Sequence, residues 1–320
     1  MKIRRFVMGE DEVNLAKLFN ALYYRNPTQP LITSEDYRKF EKDPEWDSNG
    51  RFMVEVRNNP VGWVNAYVDK LREEKKGFVY MGVLPEFRGK GIEEELLETA
   101  IRELKRRGMK VAQTLLEGDQ DARVWKKLGF KLVRRGSLMA KRLDDVESGI
   151  GENTEVTLGP LRKDSDEDLK LLNRLWNESF KEHFNWRPVP LESTAYLVRK
   201  DFSWKTQGWF FALLDGQPLG YVGAVVGELD NRPENARRGW VLPRGWILNI
   251  GVLKPYRRSG IGTRLILHGM NFLKAQGVAE VMLTVDDSNV TKAKKLYEKV
   301  GFNEVGPTEA WYSFYERSIA

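Results

Sequence analysis

Cysteine is absent from the 320 residues, and histidine occurs only twice, as His183 and His268. Without cysteine the chain forms no disulfide, offers no thiolate to zinc or an iron–sulfur cluster, and has no cysteine nucleophile. Two histidines also argue against a Ser-His-Asp triad and against a metal site built from several histidines. We therefore expect no metal site.

Long apolar runs are also missing, since the longest apolar stretches are only as long as a β-strand. A membrane-spanning helix needs about 20 apolar residues, and the residues after Met1 lack the apolar segment of a secretory signal. Basic residues outnumber acidic ones by only 52 to 46, and they are dispersed, which argues against a nucleic-acid surface. We expect a cytoplasmic monomer or homodimer that binds neither membrane nor nucleic acid.

What the chain does contain is an internal duplication. Residues 82–92 and 251–261 correspond to each other in sequence. Each segment begins with glycine after a β-like run, and each leads into a helical pattern. In both copies a short β-run follows, and then a second helix that ends in Gly-Phe, at Gly129-Phe130 and Gly301-Phe302. The pattern predicts two copies of one strand–loop–helix–strand–helix–strand unit.

The two copies also open alike, each with a short strand followed by an acidic-capped amphipathic helix, at 11–24 and 164–180. A polar, glycine-containing stretch between them is typical of a linker. The sequence therefore predicts an α/β fold class with two tandem domains. Their boundaries are 1–145 for the first domain, 146–154 for the linker and 155–320 for the second domain.

The loop that opens the second copy is rich in groups that bind phosphate. It reads Arg257-Arg258-Ser259-Gly260-Ile261-Gly262-Thr263, and no carboxylate follows it closely. A glycine-containing turn between a strand and a helix gathers backbone N–H groups at a positive helix end. Glycine leaves room for a phosphate to approach the backbone.

These residues carry a family resemblance. Arg257-x-x-Gly260-x-Gly262 after a strand, with Asn289 and Tyr297 ahead of Gly301-Phe302, resembles the GNAT N-acetyltransferase superfamily. The tandem arrangement is similar to that of mycothiol synthase-like two-domain GNAT proteins. The resemblance implies that each domain is a mixed, largely antiparallel sheet flanked by helices. It also implies acetyl-CoA as cosubstrate, with its pyrophosphate on the glycine loop.

The resemblance further implies individual roles in the second copy. Backbone groups of Ile250, Gly251 and Val252 would bind the pantetheine arm, and one N–H would polarise the thioester carbonyl. Asn289 would bind the CoA arm, with a plain N-cap as the alternative. Tyr297 would protonate the departing thiolate as general acid, with core packing as the alternative. We place both residues on one face of the helix that would begin at Asn289.

The general base is less well defined, because the strand 245–249 carries no carboxylate. Asp286, Glu228 and Asp230 are the candidates, and each also fits a solvated strand end. The long connection 227–244 is expected to border the substrate cleft, because long ordered loops are often functional.

The first copy departs from the pattern. Glu93 stands where the second copy has Gly262, and Trp125 stands where it has Tyr297. Carboxylates at the start of a helix satisfy its dipole and repel a pyrophosphate. We therefore expect the first domain to be a degenerate copy that binds no CoA.

The leading hypothesis is an acetyl-CoA-dependent N-acetyltransferase whose second domain transfers acetyl directly to an amine. Within that class, a protein N-terminal or lysine acetyltransferase is the alternative, so the acceptor is a small-molecule amine or a peptide amine. Outside it, a CoA-binding sensor or scaffold without catalysis remains open.

Overall fold

The computed structural model describes residues 1–26, 28–117, 122–143, 155–201, 203–237, 239–306 and 312–320. The predicted linker 146–154 lies outside them. The strands are β1 Lys2–Arg5, β2 Arg51–Val56, β3 Asn59–Val68, β4 Lys76–Val83, β5 Val111–Glu117, β6 Lys131–Arg142, β7 Val156–Pro160, β8 Trp204–Leu214, β9 Gln217–Gly227, β10 Arg244–Val252, β11 Glu280–Asp286, β12 Asn303–Glu304 and β13 Tyr312–Ser318. The helices are α1 Glu12–Tyr23, α2 Ser34–Phe40, α3 Ile92–Arg106, α4 Ala122–Lys127, α5 Asp166–Phe180, α6 Leu191–Arg199, α7 Pro233–Arg237, α8 Ile261–Ala275 and α9 Ala293–Lys299.

The chain divides into two compact units, and each contains residues from outside its own sequence repeat. The first unit is Met1–Arg135 with Trp311–Ala320, and the second is Gly136–Ala310. The last strand, β13, pairs with β5 of the first repeat. Gly136–Arg142 of β6, which belongs to the first repeat, pairs with β11 of the second. The units therefore differ from the predicted division at 145 and 155, because each repeat gives its closing strand to the other unit.

The first unit is a sheet with the strand order β1-β2-β3-β4-β5-β13. Its pairs are antiparallel, except that β4 and β5 run parallel. Helix α3 packs one apolar face, including Leu96 and Leu104, against one side of the sheet. Leu15 and Leu18 of α1 pack with Met53 on the other side.

The second unit repeats this plan in the order β6-β11-β10-β9-β8-β7, with β10 and β11 as the parallel pair. Helix α8 covers one face, where Leu265 and Met270 are fully buried. Helix α5 and its neighbour α6 cover the other face. Because both faces are covered, residues 219–227 of β9 are a continuous buried run rather than an alternating one. The predicted fold, a mixed and largely antiparallel sheet flanked by helices in each half, is confirmed.

Candidate functional site

The parallel strands β10 and β11 of the second unit pair only at their beginning. The pairs are Arg244 with Glu280, Gly245 with Val281 and Trp246 with Met282. Farther on, β10 pairs with β9 on its other side, up to Val252. The backbone groups of 247–252 that point towards β11 therefore face a gap, and an extended ligand can hydrogen-bond to such an edge. The predicted pantetheine segment Ile250-Gly251-Val252 lies along it.

A β-bulge in β10 determines which side chains turn to each face beside this gap. The register with β9 shifts between Ile247 and Asn249, so consecutive residues lie on the α5 side. Leu248 packs into the apolar cluster under α5. Asn249 accepts a 2.7 Å hydrogen bond through Oδ1 from the hydroxyl of Tyr221, whose pKa is raised well above its ordinary value by complete burial.

The loop after β10 presents a row of backbone amides. A 3₁₀ turn at Lys254–Tyr256 is followed by Arg258 with φ 69° and Gly260 with φ 87°, and α8 begins at Ile261. The left-handed conformation favours glycine at position 260. Amides 258–263 donate no hydrogen bond to any atom of the described residues. The first turn of α8 carries no acidic residue. These are the features of a positive helix end that can accept an anion.

Arg257 holds this loop in place rather than pointing a free guanidinium outward. Its Nε donates to the carbonyl of Val252 at 3.1 Å, and its Nη2 donates to the carbonyl of Ser179 at 3.0 Å. Its Nη1 pairs with Glu182 Oε2 at 3.0 Å, and Lys254 pairs with the same carboxylate at 2.6 Å. Glu182 was not predicted as a residue of this site. The available signal was a carboxylate two residues after the end of α5.

The other predicted loop residues differ in whether their side chains already make hydrogen bonds. The hydroxyl of Ser259 donates to the carbonyl of Tyr256 at 2.7 Å. The side chain of Arg258 is exposed and makes no hydrogen bond or ion pair with the described residues. At Gly262, an added Cβ would lie 3.2 Å from Leu296 Cδ2 of α9. Gly262 therefore also allows close packing of α8 against α9.

The first unit has the same loop with its anion site filled. Gly89 and Gly91 have φ 68° and 83°, close to the values at Arg258 and Gly260. Glu93 accepts from the amide of Gly89 through both carboxylate oxygens, at 3.2 and 3.3 Å, and is only 6% exposed. The amide that binds Glu93 in the first unit corresponds to the open amide of Arg258 in the second.

The gap between parallel strands is also present in the first unit. Strands β4 and β5 pair only from Lys76 to Phe78. Beyond these pairs lies a cleft of about 960 Å³, and Gly89, Glu93 and Trp125 line it. The copies thus share the gap between the parallel strands and differ at the glycine loop and at the position of Trp125 and Tyr297.

Tyr297 lies in α9, with its ring buried and its hydroxyl unpartnered among the described residues. Its exposed fraction is 7%, and it packs edge-on to Phe302 with ring centroids 6.2 Å apart. Burial raises the pKa of Tyr297 to about 12, so the phenol is protonated at neutral pH. Trp125 occupies the equivalent position in α4, edge-on to Phe130 at 5.0 Å.

Asn289 was predicted to begin the helix that carries Tyr297, but it lies outside that helix. Helix α9 begins at Ala293, after Lys292 with φ 55°, and Asn289 lies in the preceding turn. Its Oδ1 accepts from the amide of Thr291 at 2.8 Å and from the Thr291 hydroxyl at 2.6 Å. Asn289 and Tyr297 therefore do not share one helix face, contrary to the prediction, because the local Asn–Thr turn competes with helix formation.

The structure separates the base candidates. Asp286 ends β11 beside the gap, and its Oδ1 accepts from the amide of Ser288 at 2.9 Å. Glu228 is exposed and follows the end of β9 that pairs with Gly245. At about 3.3 Å per residue, Glu228 lies about 13 Å or more along the sheet from Asn249. The connection 227–244 thus enters β10 at the end away from the glycine loop, contrary to the expectation that it borders the cleft.

The third base candidate, Asp230, and the two histidines are each packed against other side chains. Asp230 accepts from Trp246 Nε1 at 3.0 Å, and burial raises the pKa of its carboxyl. Burial lowers the pKa of His268, which packs edge-on to Phe210. His183 packs beside Phe180 with ring centroids 4.3 Å apart. None of the three lies on the loop 257–263 or on the gap edge of β10.

Comparison with known proteins agrees with this geometry. The sequence profile of the acetyltransferase (GNAT) family matches residues 16–130 and 170–302. A mycothiol acetyltransferase of Amycolatopsis mediterranei is 31% identical over 138 residues, which cover 41% of this chain and 46% of that protein. A probable N-acetyltransferase, san, of Drosophila melanogaster is 38% identical over 99 residues, which cover 31% of this chain and 50% of that protein.

A solved tandem GNAT protein from the clavulanic acid biosynthesis pathway has a similar fold. Its TM-score is 0.74 at 14% identity, with 100% of this chain and 98% of that chain covered. The matches to the curated relatives span about half of their length or less. Among the described residues, no helix combines the length and hydropathy that crossing a bilayer requires. Because the family profile matches both repeats and most of the sequence, the chain belongs to the acetyltransferase (GNAT) family.

Proposed function

We propose that the second unit binds acetyl-CoA and transfers its acetyl group directly to an amine. The observation that carries this proposal is the open row of amides at 258–263. The equivalent amide of the first unit, at Gly89, already holds a carboxylate. The loop conformation is thus one that binds an anion, and in the second unit it is free to take the pyrophosphate. The exposed guanidinium of Arg258 adds a positive charge beside it.

The gap between β10 and β11 would take the pantetheine arm. Free backbone groups along Ile250-Gly251-Val252 would pair with its amides, as an added strand pairs with a sheet edge. One strand N–H would also donate to the thioester carbonyl, whose oxygen gains negative charge as the amine attacks. Oδ1 of Asn289 is engaged by Thr291, so its Nδ2 is the group that would donate to the CoA arm.

Tyr297 fits the role of general acid. The amine nitrogen attacks the carbonyl carbon, the carbon–sulfur bond breaks, and the thiolate takes a proton from the Tyr297 hydroxyl. A pKa of about 12 keeps this proton in place until negative charge develops on sulfur. The tyrosinate then recovers a proton from water. The products are free CoA and the N-acetylated amine.

Deprotonation of the amine would proceed through water rather than through a strand carboxylate. β10 carries Asn249 beside the gap and has no acidic residue. Asp286 is the carboxylate at the level of the gap, and it is oriented by the Ser288 amide. We therefore propose Asp286 as the only one of the candidates near enough to accept a proton through water, and set Glu228 aside on distance.

The acceptor would be a small-molecule amine that enters on the α5 side of the sheet. There Trp176 stacks on Trp209 with centroids 6.4 Å apart and lies the same distance from Tyr221. The hydroxyl of Tyr221 donates to Asn249 Oδ1 and so fixes the orientation of that amide. The relatives named mycothiol acetyltransferases support the class of small-molecule acceptors.

A free-thiol release assay with acetyl-CoA tests this function. Amines, polyamines, amino acids and short peptides would be offered separately to the full-length chain, and acetylated products identified by mass spectrometry. We expect thiol release that depends on a small-molecule amine. Release with peptides alone would favour a protein acetyltransferase. Tight CoA binding without release from any amine would favour a sensor or scaffold.

A further inference from the structure

A cavity of about 250 Å³ lies inside the first unit, on the sheet face that α1 and α2 cover. Its surface is almost entirely apolar. Aromatic side chains from both helices and from the sheet line it: Phe19, Tyr37, Phe40, Trp46, Trp63 and Tyr80. Burial raises the pKa of Tyr37 and of Tyr80 to about 12, so both phenols are uncharged. Such a space accepts a compact apolar molecule.

One buried cation, Arg51, belongs to the cavity wall and is only 6% exposed. Its guanidinium carbon lies 3.8 Å from the centroid of the Trp46 ring, and its Nη2 donates to the carbonyl of Asp47 at 2.9 Å. Its Nε and Nη1 make no hydrogen bond within the described residues. The carboxylate of Glu41 lies 3.7 Å from Nη1, which is beyond hydrogen-bond distance.

Further polar atoms in the same wall are buried without a hydrogen-bond partner among the described residues. They are the indole N–H groups of Trp46 and Trp63 and the side-chain oxygen of Asn65. Buried polar groups normally have hydrogen-bond partners, so their concentration around one cavity points to a ligand. The wall has four unpartnered donor atoms and one unpartnered acceptor atom, and beside the wall Glu41 Oε1 and Glu12 Oε2 also make no hydrogen bond within the described residues. The missing partner is therefore an atom that accepts hydrogen bonds.

The charge balance indicates that this atom is neutral. Arg51 already has Glu41 beside it, and burial raises the pKa of Glu41. Glu12, which is 1% exposed, approaches Arg38 at 4.0 Å in the same region. An anionic ligand would add a negative charge near these two carboxylates in a poorly solvated place. A carbonyl oxygen would satisfy the donors without that repulsion.

The volume limits the size of the ligand. A cavity of about 150 Å³ lined by apolar side chains holds benzene, so about 250 Å³ accommodates a fused pair of rings. We propose that the first unit binds an uncharged bicyclic or similarly compact aromatic molecule with one hydrogen-bond-accepting oxygen. The site is separate from the glycine loop, and its occupancy does not depend on acetyl transfer.

Calorimetry on the full-length chain with four matched probes tests the proposal. 1-Indanone carries the carbonyl oxygen, indane lacks it, indane-1-carboxylate is an anion and 1-aminoindane is a cation. We expect 1-indanone to bind with a dissociation constant about three- to tenfold lower than that of indane, the difference of one hydrogen bond. Both charged probes should bind more weakly than 1-indanone.

Two variants locate the binding. Arg51→Met removes the two unpartnered guanidinium donors and leaves the two indole N–H groups, so it should reduce the preference for 1-indanone while indane still binds. Phe19→Trp fills the cavity from α1 without touching Arg51, so it should abolish binding of both probes. The second variant keeps the test decisive if Arg51→Met fails to fold. Circular dichroism and thermal melting establish that each variant is folded.

The contrary outcomes are specific. No heat with any probe, or binding that Phe19→Trp leaves unchanged, would show that the cavity is not a ligand site. Equal affinity for indane and 1-indanone would show that the Arg51 and indole donors recognise nothing. Tightest binding of the carboxylate would overturn the assignment of a neutral ligand.

Discussion

The two carboxylate oxygens of Glu93 lie 3.2 and 3.3 Å from the amide nitrogen of Gly89, four residues earlier in the chain. The first unit thereby supplies its own anion to the loop that precedes α3. In the second unit Gly262 stands in place of Glu93, and the corresponding amide of Arg258 has no partner in the part of the chain that the structure describes. One side chain therefore separates a self-occupied loop from an open one.

Removing that side chain should open the first loop. We expect Glu93→Gly to raise the number of CoA sites from one to two per chain, because the amides then face a cleft of about 960 Å³ with no competing carboxylate. Isothermal titration gives the stoichiometry. Glu94→Gly is the matched control: the Glu94 carboxylate pairs with Lys127 at 2.9 Å instead, so it should leave one site. Two sites in the unaltered chain would contradict the prediction.

The reciprocal change should close the second loop. In Gly262→Glu, the new carboxylate can reach the amide of Arg258 as Glu93 reaches Gly89, and it would repel pyrophosphate. We expect CoA affinity to fall at least about 100-fold, as expected for loss of several charge-assisted hydrogen bonds. Gly262→Gln creates the same crowding against Leu296 without the charge. Equal affinities for the Glu and Gln variants would show that crowding alone is responsible.

The hydroxyl of Tyr297 should matter in the chemical step and little in binding. General acids contribute about 10²–10⁴-fold, so Tyr297→Phe should lower kcat by about that factor while the dissociation constant of CoA changes little. Trp125→Phe alters the equivalent position of the first unit and should leave kcat unchanged. A normal kcat for Tyr297→Phe, measured where chemistry limits the rate, would assign Tyr297 to packing with Phe302.

The raised pKa of Tyr297 also predicts the pH dependence of the reaction. With a pKa of about 12, the phenol keeps its proton throughout the range from neutral pH to pH 10. Activity should therefore not fall near the ordinary tyrosine pKa of about 10. Burial of the protonated Tyr297 also makes stability depend on pH. Its contribution to the free energy of unfolding is complete below the unfolded pKa and is lost as pH rises from there through the folded pKa. The measurement is the rate from pH 7 to 11 with an acceptor amine that is already neutral at pH 7.

Asp11 should stabilise the first unit in a pH-dependent manner. Its carboxylate accepts from Arg4 at 2.6 and 2.8 Å and from the amide of Val7 at 2.8 Å, and Arg4 holds its pKa below the ordinary value. This stabilisation is present above the unfolded pKa and is lost as pH falls through the folded one. Asp11→Asn should lower the free energy of unfolding by about 1–3 kcal/mol. Urea denaturation at pH 7 measures it.

Asp166→Asn is the control for that experiment. Its carboxylate is 76% exposed and pairs with Arg199 at the surface, so the change should stay within about 0.5 kcal/mol. A similar loss in both variants would mean that the burial of Asp11 contributes nothing. The difference between the variants should shrink at pH 3, because this lies below the ordinary aspartate pKa of about 3.9, where the unfolded chain binds a proton and the stabilisation by Asp11 declines.

The features that could be predicted from the sequence are those that depend on local sequence patterns. The duplication, the strand before each glycine loop and the helix after it depend on residues close together in the chain. The contrast between Glu93 and Gly262 was visible from alignment of the two copies. Glycine at position 260 was expected because it leaves room for a phosphate, and the structure adds that the residue is left-handed, with φ 87°.

The features that it did not predict depend on distant partners or on local competition. The bulge that turns Asn249 towards Tyr221 is a matter of register between strands, and composition does not encode register. The late start of α9 results from the turn that Asn289 makes with Thr291. The distance of Glu228 from the gap depends on which end of β10 its connection enters. Glu182 reaches Arg257 across 75 residues of sequence.

The exchange of closing strands has a consequence for the order in which the protein can be completed during synthesis. Residues 1–135 leave the ribosome early, yet the edge of β5 stays unpaired on one side until Tyr312–Ser318 has been made. An unpaired strand edge can pair with other chains, and pairing over about 200 residues is slow. The second sheet, in contrast, has its strand from the first repeat waiting when β11 emerges. The half that is translated first is thus the one whose sheet is completed last. Cleavage of the backbone within residues 146–154 would leave β13 of the first sheet and β6 of the second sheet each on the other fragment.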